Sequence, residues 1–568
     1  MKWLLAFLLA IPAFAQPSNP VNGGGSSGVA PYLGLVGTRS NIATITTTST
    51  WAMGRTASIA RVSIPANGAR PVFANMFVTT TGVEQNPGTT TYKMSIEYPS
   101  GVIAGVCTFG GQPTVTVSTM SLVIPDANSC PHAAIPAGSM YWVRALVQNA
   151  AGIPYTSGLQ PNSFSFTFDG LMLGTGTPTD NTTSGTVVYS SGSVTNVQLP
   201  PVAIIGMTTS PSVCIVGDSR ALGIKDQVTD INLDIGEIAR SIGPVFNYTK
   251  IATSGITAFA TATNFTTREL IVKYCSHAID ELGINDFGIL GRNAAEVVAS
   301  RSALAGIFGI PTFGTTLVPE TGSSKSFVGF TTAESGFTML TVTSAATCTS
   351  ALTPCPITPG DSLGGTGLFG SIESQISGTT GGTGTYSCTS NTPVVASGTY
   401  GAVDHWSSTY AQQPIVSVDP FNTLVRQGIA GEMGMFDIDI VVDPLDLNLF
   451  PVGGPIVDAT VAGIGVTLSL TNGSTSAQVV GHPEQLASAS GGQFISCPAQ
   501  GLATTVSAIE SFQTGSIILS AAPTASSGSA VCTMTGFNET LDGVHESPYL
   551  LQAIARSGII DTSRIFIK

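Results

Sequence analysis

From Val213 onward the chain repeats one rhythm: a short apolar run that ends in Gly, Ser or Asn, then a segment with helical spacing. The runs are SVCIVG, NYTKIATSG, HAIDELGIND, IPTFGTTLVP and FDIDIVVDP. Strands buried on both faces and joined by helical crossovers carry this pattern, so the region is predicted to form a parallel α/β sheet. Between the fourth and fifth runs, residues 336–400 turn to a Gly/Thr/Ser-rich texture, GSIESQISGTTGGTGTYSCTS, and residues 456–535 do the same around TTVSAIESFQTGSIILSAAPTASSGSAVCT. Structureless loops of that length are rare inside a compact domain, so both blocks are expected to be small β insertions. The α/β domain is then read in three parts, 206–335, 401–455 and 536–568.

Upstream the period changes to two. In TYKMSIEYP, Tyr92, Met94, Ile96 and Tyr98 alternate with Lys93, Ser95 and Glu97, the pattern of a strand with one buried face. IPAGSMYWVRALVQN adds a turn and an aromatic-rich strand, and the regularity persists to about Leu199. Residues 31–205 are therefore expected to form a β-sandwich of jelly-roll type. Charged residues are 9% of the 568, against the roughly 25% usual in globular domains, which favours many short strands over amphipathic helices. A chain this long exceeds one core, so the whole is multidomain. Its 20 Lys and Arg stand against 33 Asp and Glu, a net charge of −13 without basic clusters, so the electrostatic footprint of a nucleic-acid binder is missing.

The opening MKWLLAFLLAIPAFAQ has one Lys, an apolar stretch and Ala13-Phe14-Ala15, the small-x-small pattern of a secretory cleavage site. Residues 1–15 are read as a signal peptide and 16–30 as a flexible linker, with no membrane span left after cleavage; the apolar stretch is well short of the ~20 residues a bilayer needs. The expected location is secreted or periplasmic, with a virion-associated one as the alternative. Nine cysteines in an exported chain permit disulfides. Cys497 and Cys532 are expected to pair, while Cys214 and Cys275, in or beside core strands, are expected to be buried thiols.

Ligands of an open parallel sheet gather at the carboxyl ends of its strands. Ser219 ends the first run and starts a helix, whose free N–H groups suit a developing oxyanion. Gly255 ends the second and allows close backbone approach. Asn285 ends the third and offers an amide donor. Far downstream, LDGVHESPYLLQAIA puts Asp542 and His545 on one turn before a final helix. A serine hydroxyl needs a base to take its proton, and an imidazole needs a partner to fix its tautomer, so Asp542 and His545 are the candidate partners of Ser219. Ser219 N–H, Gly255 N–H and the Asn285 amide are the candidate oxyanion hole. Asp218 and Asp286, beside the nucleophile and the amide donor, are read as structural hydrogen-bond partners. His132, His277 and His482 are read as structural, and His405 beside Trp406 either lines the site or lies on a surface loop.

GDS at 217–219, Gly255, GIND at 283–286 and DGVH at 542–545 resemble, in order, the four blocks of the SGNH (GDSL-type) hydrolase family. The resemblance implies a flavodoxin-like α/β/α fold and an esterase with Ser219, Gly255, Asn285 and His545 as its name-giving set and Asp542 completing the triad. One departure is Glu546, where many members carry proline. The two insertions resemble short β repeats of bacteriophage tail proteins. The expected activity is an exported serine esterase acting through an acyl-enzyme, without metal or cofactor, on an O-acetylated carbohydrate or another ester. The alternative is a glycan-binding or phage-tail structural protein that keeps the scaffold without turnover; a glycoside hydrolase would need two carboxylates across a cleft.

Overall fold

The computed structural model describes residues 30–157, 169–189, 197–224, 226, 234–318, 324–334, 337–344, 347–348, 357, 362–365, 370–379, 382–390, 398–403, 418–442, 464–480, 494–511, 516–535, 551, 554–555 and 557–567. These residues are mostly strands, gathered into several sheets, with short helices around one of them. That sheet is parallel and six-stranded: β1 (Ser40–Asn41), β2 (Ser212–Gly217), β3 (Asn247–Ala252), β4 (His277–Asp280), β5 (Thr312–Thr315) and β6 (Gly434–Phe436), in the order β1-β3-β2-β4-β5-β6. Alternation along β2 sends Val213 and Ile215 to one face and Cys214 and Val216 to the other. The first face is covered by α1 (Ser219–Leu222), α2 (Glu237–Ile242) and the late residues Ile554, Ile560 and Ile565. The second is covered by α3 (Ala258–Thr263), α4 (Thr267–Val272), α5 (Ile284–Gly288), α6 (Ala294–Phe308) and α7 (Val418–Gln427). Burial on both faces is why these strands read as unbroken apolar runs.

Two antiparallel sheets come from the amino-terminal part. One orders Val115–Val117, Thr90–Glu97, Met140–Gln148, Trp51–Ile59 and Gly170–Gly174; the other orders Tyr32–Leu35, Ala203–Thr208, Arg70–Ala74 and Leu122–Val123. Phe73, Tyr92, Met94, Ile96, Tyr141 and Ile204 fill one core between them, making a sandwich. Tyr92, Met94 and Ile96 point inward as their alternation predicts, but the opposite face is not left to solvent. Glu97 is fully buried and accepts from Arg55 Nε and Nη2 at 2.9 and 2.6 Å and from Arg144 Nε at 2.6 Å. Both arginines stand on other strands of the same sheet, so only the pairing register reveals them.

The sandwich and the parallel sheet share material. Strand β1 lies within 31–205 yet pairs with Thr249 and Lys250 of β3, and Leu35, Ile42, Val72 and Ile205 belong to the same apolar cluster as Cys214, Val216 and Phe421. A two-residue strand carries no periodicity, which hides this junction from sequence reasoning. The first β insertion is an antiparallel sheet whose strands run from Ser324–Glu334 to Gly398–Val403, so pairing starts upstream of residue 336 and extends past 400. The second is a closed six-stranded barrel between Ile464–Leu470 and Ser527–Thr535, filled by Leu468, Ile495, Leu502, Ile517 and Leu519.

Disulfides join Cys107 to Cys130, Cys214 to Cys275 and Cys497 to Cys532. The expected Cys497–Cys532 pair is present. The expectation of buried thiols at Cys214 and Cys275 is corrected: they bond to each other, because the chain leaving α4 passes beside β2 before it enters β4. No helix among the described residues is long and apolar enough to cross a membrane.

Candidate active site

The carboxyl end of β2 turns sharply at Gly217, where a Cβ would collide with Ala221 and with the Glu281 carboxyl. Asp218 caps α1, its Oδ1 accepting from Arg220 N–H at 3.0 Å. Ser219 is the first residue of that helix and is 5% exposed. Among the described residues neither its hydroxyl nor its N–H makes a hydrogen bond. Beneath it, buried Arg220 donates through Nη1 to Val318 O at 2.6 Å.

Gly255 follows β3 in a turn with φ of +75°, a conformation that favours glycine. Its N–H makes no hydrogen bond among the described residues. Asn285 follows β4 on the first turn of α5, and its Nδ2 donates to Asp218 Oδ2 at 2.9 Å and to Ile256 O at 3.1 Å. This one amide ties the ends of three neighbouring strands together. A carbonyl oxygen can only accept, which fixes which way the amide points and engages both of its hydrogens. Asp286 accepts from the N–H groups of Ala258 and Phe259 at 2.6 and 3.1 Å, capping α3. Burial pushes the Asp286 carboxyl up to about 6 against the pull of those two N–H groups.

Two buried ionisable groups escaped sequence reasoning. Glu281 Oε2 accepts from Asp218 N–H at 3.0 Å, while its buried Oε1 has no hydrogen-bond partner among the described residues. Burial, with Asp218 and Glu237 nearby, pushes this carboxyl, which stands behind the Gly217–Ser219 turn, well above the ordinary range. Lys250, inside β3, donates through Nζ to Leu222 O at 3.2 Å, at the end of α1, and to Ile235 O at 2.6 Å. Burial lowers its ammonium to about 7. The available signal was a charged residue inside an otherwise uncharged strand run.

The structure thus brings Ser219, Gly255 and Asn285 together through Asp218 and Ile256. Asp542 and His545, with Glu546, His405, Trp406 and His482, lie outside the described residues. Two other histidines are engaged elsewhere. His132 Nε2 accepts from Ala69 N–H at 3.1 Å, and its Nδ1 lies 2.6 Å from Ala133 O. His277 begins β4, at the opposite end of the sheet from Ser219, 2.9 Å from Ser276 Oγ, and burial holds its ring below the usual histidine range.

No family's sequence profile matches the chain, and no curated protein sequence does. Two solved structures overlap it loosely. A family two carbohydrate esterase from Clostridium thermocellum, in complex with cellohexaose, has 11% identity and a TM-score of 0.18 over 52% of this chain and 75% of that one. A family two carbohydrate esterase from Cellvibrio japonicus has 9% identity and a TM-score of 0.15 over 48% and 78%. Superposition at this level fixes neither a shared fold nor an activity.

Proposed function

We propose that the chain is an exported SGNH-type serine esterase whose flavodoxin-like α/β/α domain removes acetyl groups from a carbohydrate. The observation that carries this reading is the convergence, at the carboxyl end of the parallel sheet, of a Ser219 hydroxyl and of Ser219 and Gly255 N–H groups that have no partner among the described residues, with the Asn285 amide held by Asp218. In the reaction, Ser219 Oγ attacks the ester carbonyl and His545 takes its proton, with Asp542 fixing the imidazole. The oxyanion is met by the Ser219 and Gly255 N–H groups and by Asn285, which gives up its longer bond to Ile256 O. The alcohol leaves with the proton from His545, and water, deprotonated by the same imidazole, releases acetate and restores Ser219. The three disulfides among the described residues accord with an oxidising compartment.

A screen of acetylated polysaccharides for acetate release, with Ser219→Ala as control, tests the reading. Release by the native chain and not by the variant is expected. No release from any acetate, aryl acetates included, would favour a glycan-binding or phage-tail structural role.

A further inference from the structure

The amino-terminal part does more than flank the candidate site. Phe77–Val78 pairs with Glu84–Gln85, and the tip between them, with Thr80 and Thr81 exposed, reaches the Gly255 turn. A Cβ built on Gly255 would touch Thr80 Cβ at 3.7 Å and Ile289 Cδ1 at 4.0 Å. The hairpin is held there by a buried clamp: the Glu84 carboxylate accepts from the N–H groups of Thr266, Thr267 and Arg268 at 3.2, 2.7 and 3.1 Å and from Arg268 Nε at 3.0 Å. Arg268, 0% exposed, returns a bond from Nη2 to Gly82 O at 2.9 Å. A buried ion pair repays its desolvation only where its bonds are well satisfied, and the four that Glu84 accepts hold the tip in one place.

Across the Gly255 turn the surface is apolar. Ile289, whose N–H donates to Asn285 O at 2.9 Å, is 62% exposed and Leu290 46%. Phe259, 43% exposed, carries the Arg292 guanidinium 3.6 Å over its ring. Hydroxyls beside aliphatic and aromatic carbon match a sugar, which presents hydroxyl groups at its rim and C–H groups on its faces.

We propose that the Thr80–Thr81 tip and Ile289 form the wall on which the alcohol part of the ester, a neutral oligosaccharide, rests, so that the amino-terminal β region sets substrate choice. This rests on Ser219 being the nucleophile. The test compares the native protein with Thr80→Trp and with Thr80→Ala/Thr81→Ala, changes at exposed positions whose folding is checked by thermal melting. Rates are measured on acetylated xylo-, gluco- and manno-oligosaccharides, on p-nitrophenyl acetate and on p-nitrophenyl butyrate. The variants are expected to lose at least about tenfold more kcat/KM on the acetylated oligosaccharide than on p-nitrophenyl acetate, with the acetate-to-butyrate ratio kept. Equal losses on both acetates, no loss on the oligosaccharide, or a shifted acetate-to-butyrate ratio overturns the proposal. Calorimetric titration with the deacetylated oligosaccharides separates the two readings. Binding weakened by Thr80→Trp in a chain that hydrolyses no ester keeps the wall and removes the esterase. A native chain that neither binds nor deacetylates any of the panel removes the wall, whatever it does to p-nitrophenyl acetate.

Discussion

The Ser219 hydroxyl has no partner among the described residues while the Asn285 amide has two, so the two substitutions differ in kind. Ser219→Ala removes the proposed nucleophile and is expected to lower kcat on p-nitrophenyl acetate by about 10⁴-fold or more, with an unchanged melting temperature. Asn285→Ala removes the proposed oxyanion donor and is expected to lower kcat by roughly 10²–10³ with a smaller change in KM; an effect confined to KM would make Asn285 a binding residue only. Lys250 gives a pH signature. Below about 7 both the folded and the unfolded chain carry its proton and the burial penalty is full. Between there and the unfolded value near ~10.4 the unfolded chain holds a proton that the folded one has shed, so stability rises with pH across that window. Chemical denaturation from pH 6 to 9 is expected to show this rise in the native protein and not in Lys250→Met; parallel curves would mean that the ammonium stays charged. The positions of Ser219, Gly255 and Asn285 were legible because each follows an apolar run, and run-then-turn is a local pattern. Glu281 and Lys250 were not, because a charge in a sequence reads as solvated until its neighbours are known.

Strands were legible where one period dominates. Tyr92, Met94 and Ile96 lie in the sandwich core as their spacing requires, and the first four apolar runs hold β2 to β5; the fifth, FDIDIVVDP, meets β6 only at Phe436 and turns helical over Asp439–Val442. What the pattern missed depends on contacts distant in sequence: Glu97 between two arginines from other strands, and Cys214 beside Cys275 across 61 residues. That disulfide fastens β2, the strand that leads into Ser219, to the segment entering β4. Cys214→Ala/Cys275→Ala is expected to lose about 2–5 kcal/mol of stability, read from the midpoint and slope of guanidinium unfolding. A midpoint within error of the native one would show that packing alone holds β2.

At the scale of the molecule, the insertions were legible as changes of texture and their edges were not, since strand pairing and composition do not start at the same residue. The junction between sandwich and parallel sheet was the least legible feature, because it rests on β1, on the Glu84–Arg268 clamp and on a common apolar cluster. A chain beginning at residue 206 loses all three, leaving Arg268 without its carboxylate and opening the apolar face that Leu35, Ile42 and Val72 cover. It is expected to be insoluble or to melt without a cooperative transition, as followed by circular dichroism and calorimetry. A soluble fragment with a sharp transition would show that the α/β part folds alone.

The proposed nucleophile is tested most directly by active-site labelling: incubation of the native protein with a p-nitrophenyl phosphonate, then peptide mapping by mass spectrometry. One phosphonyl group per chain on the peptide containing Ser219, in step with loss of esterase activity, is the expected result. A chain that turns over p-nitrophenyl acetate while the label lands on another residue, or on none, contradicts it.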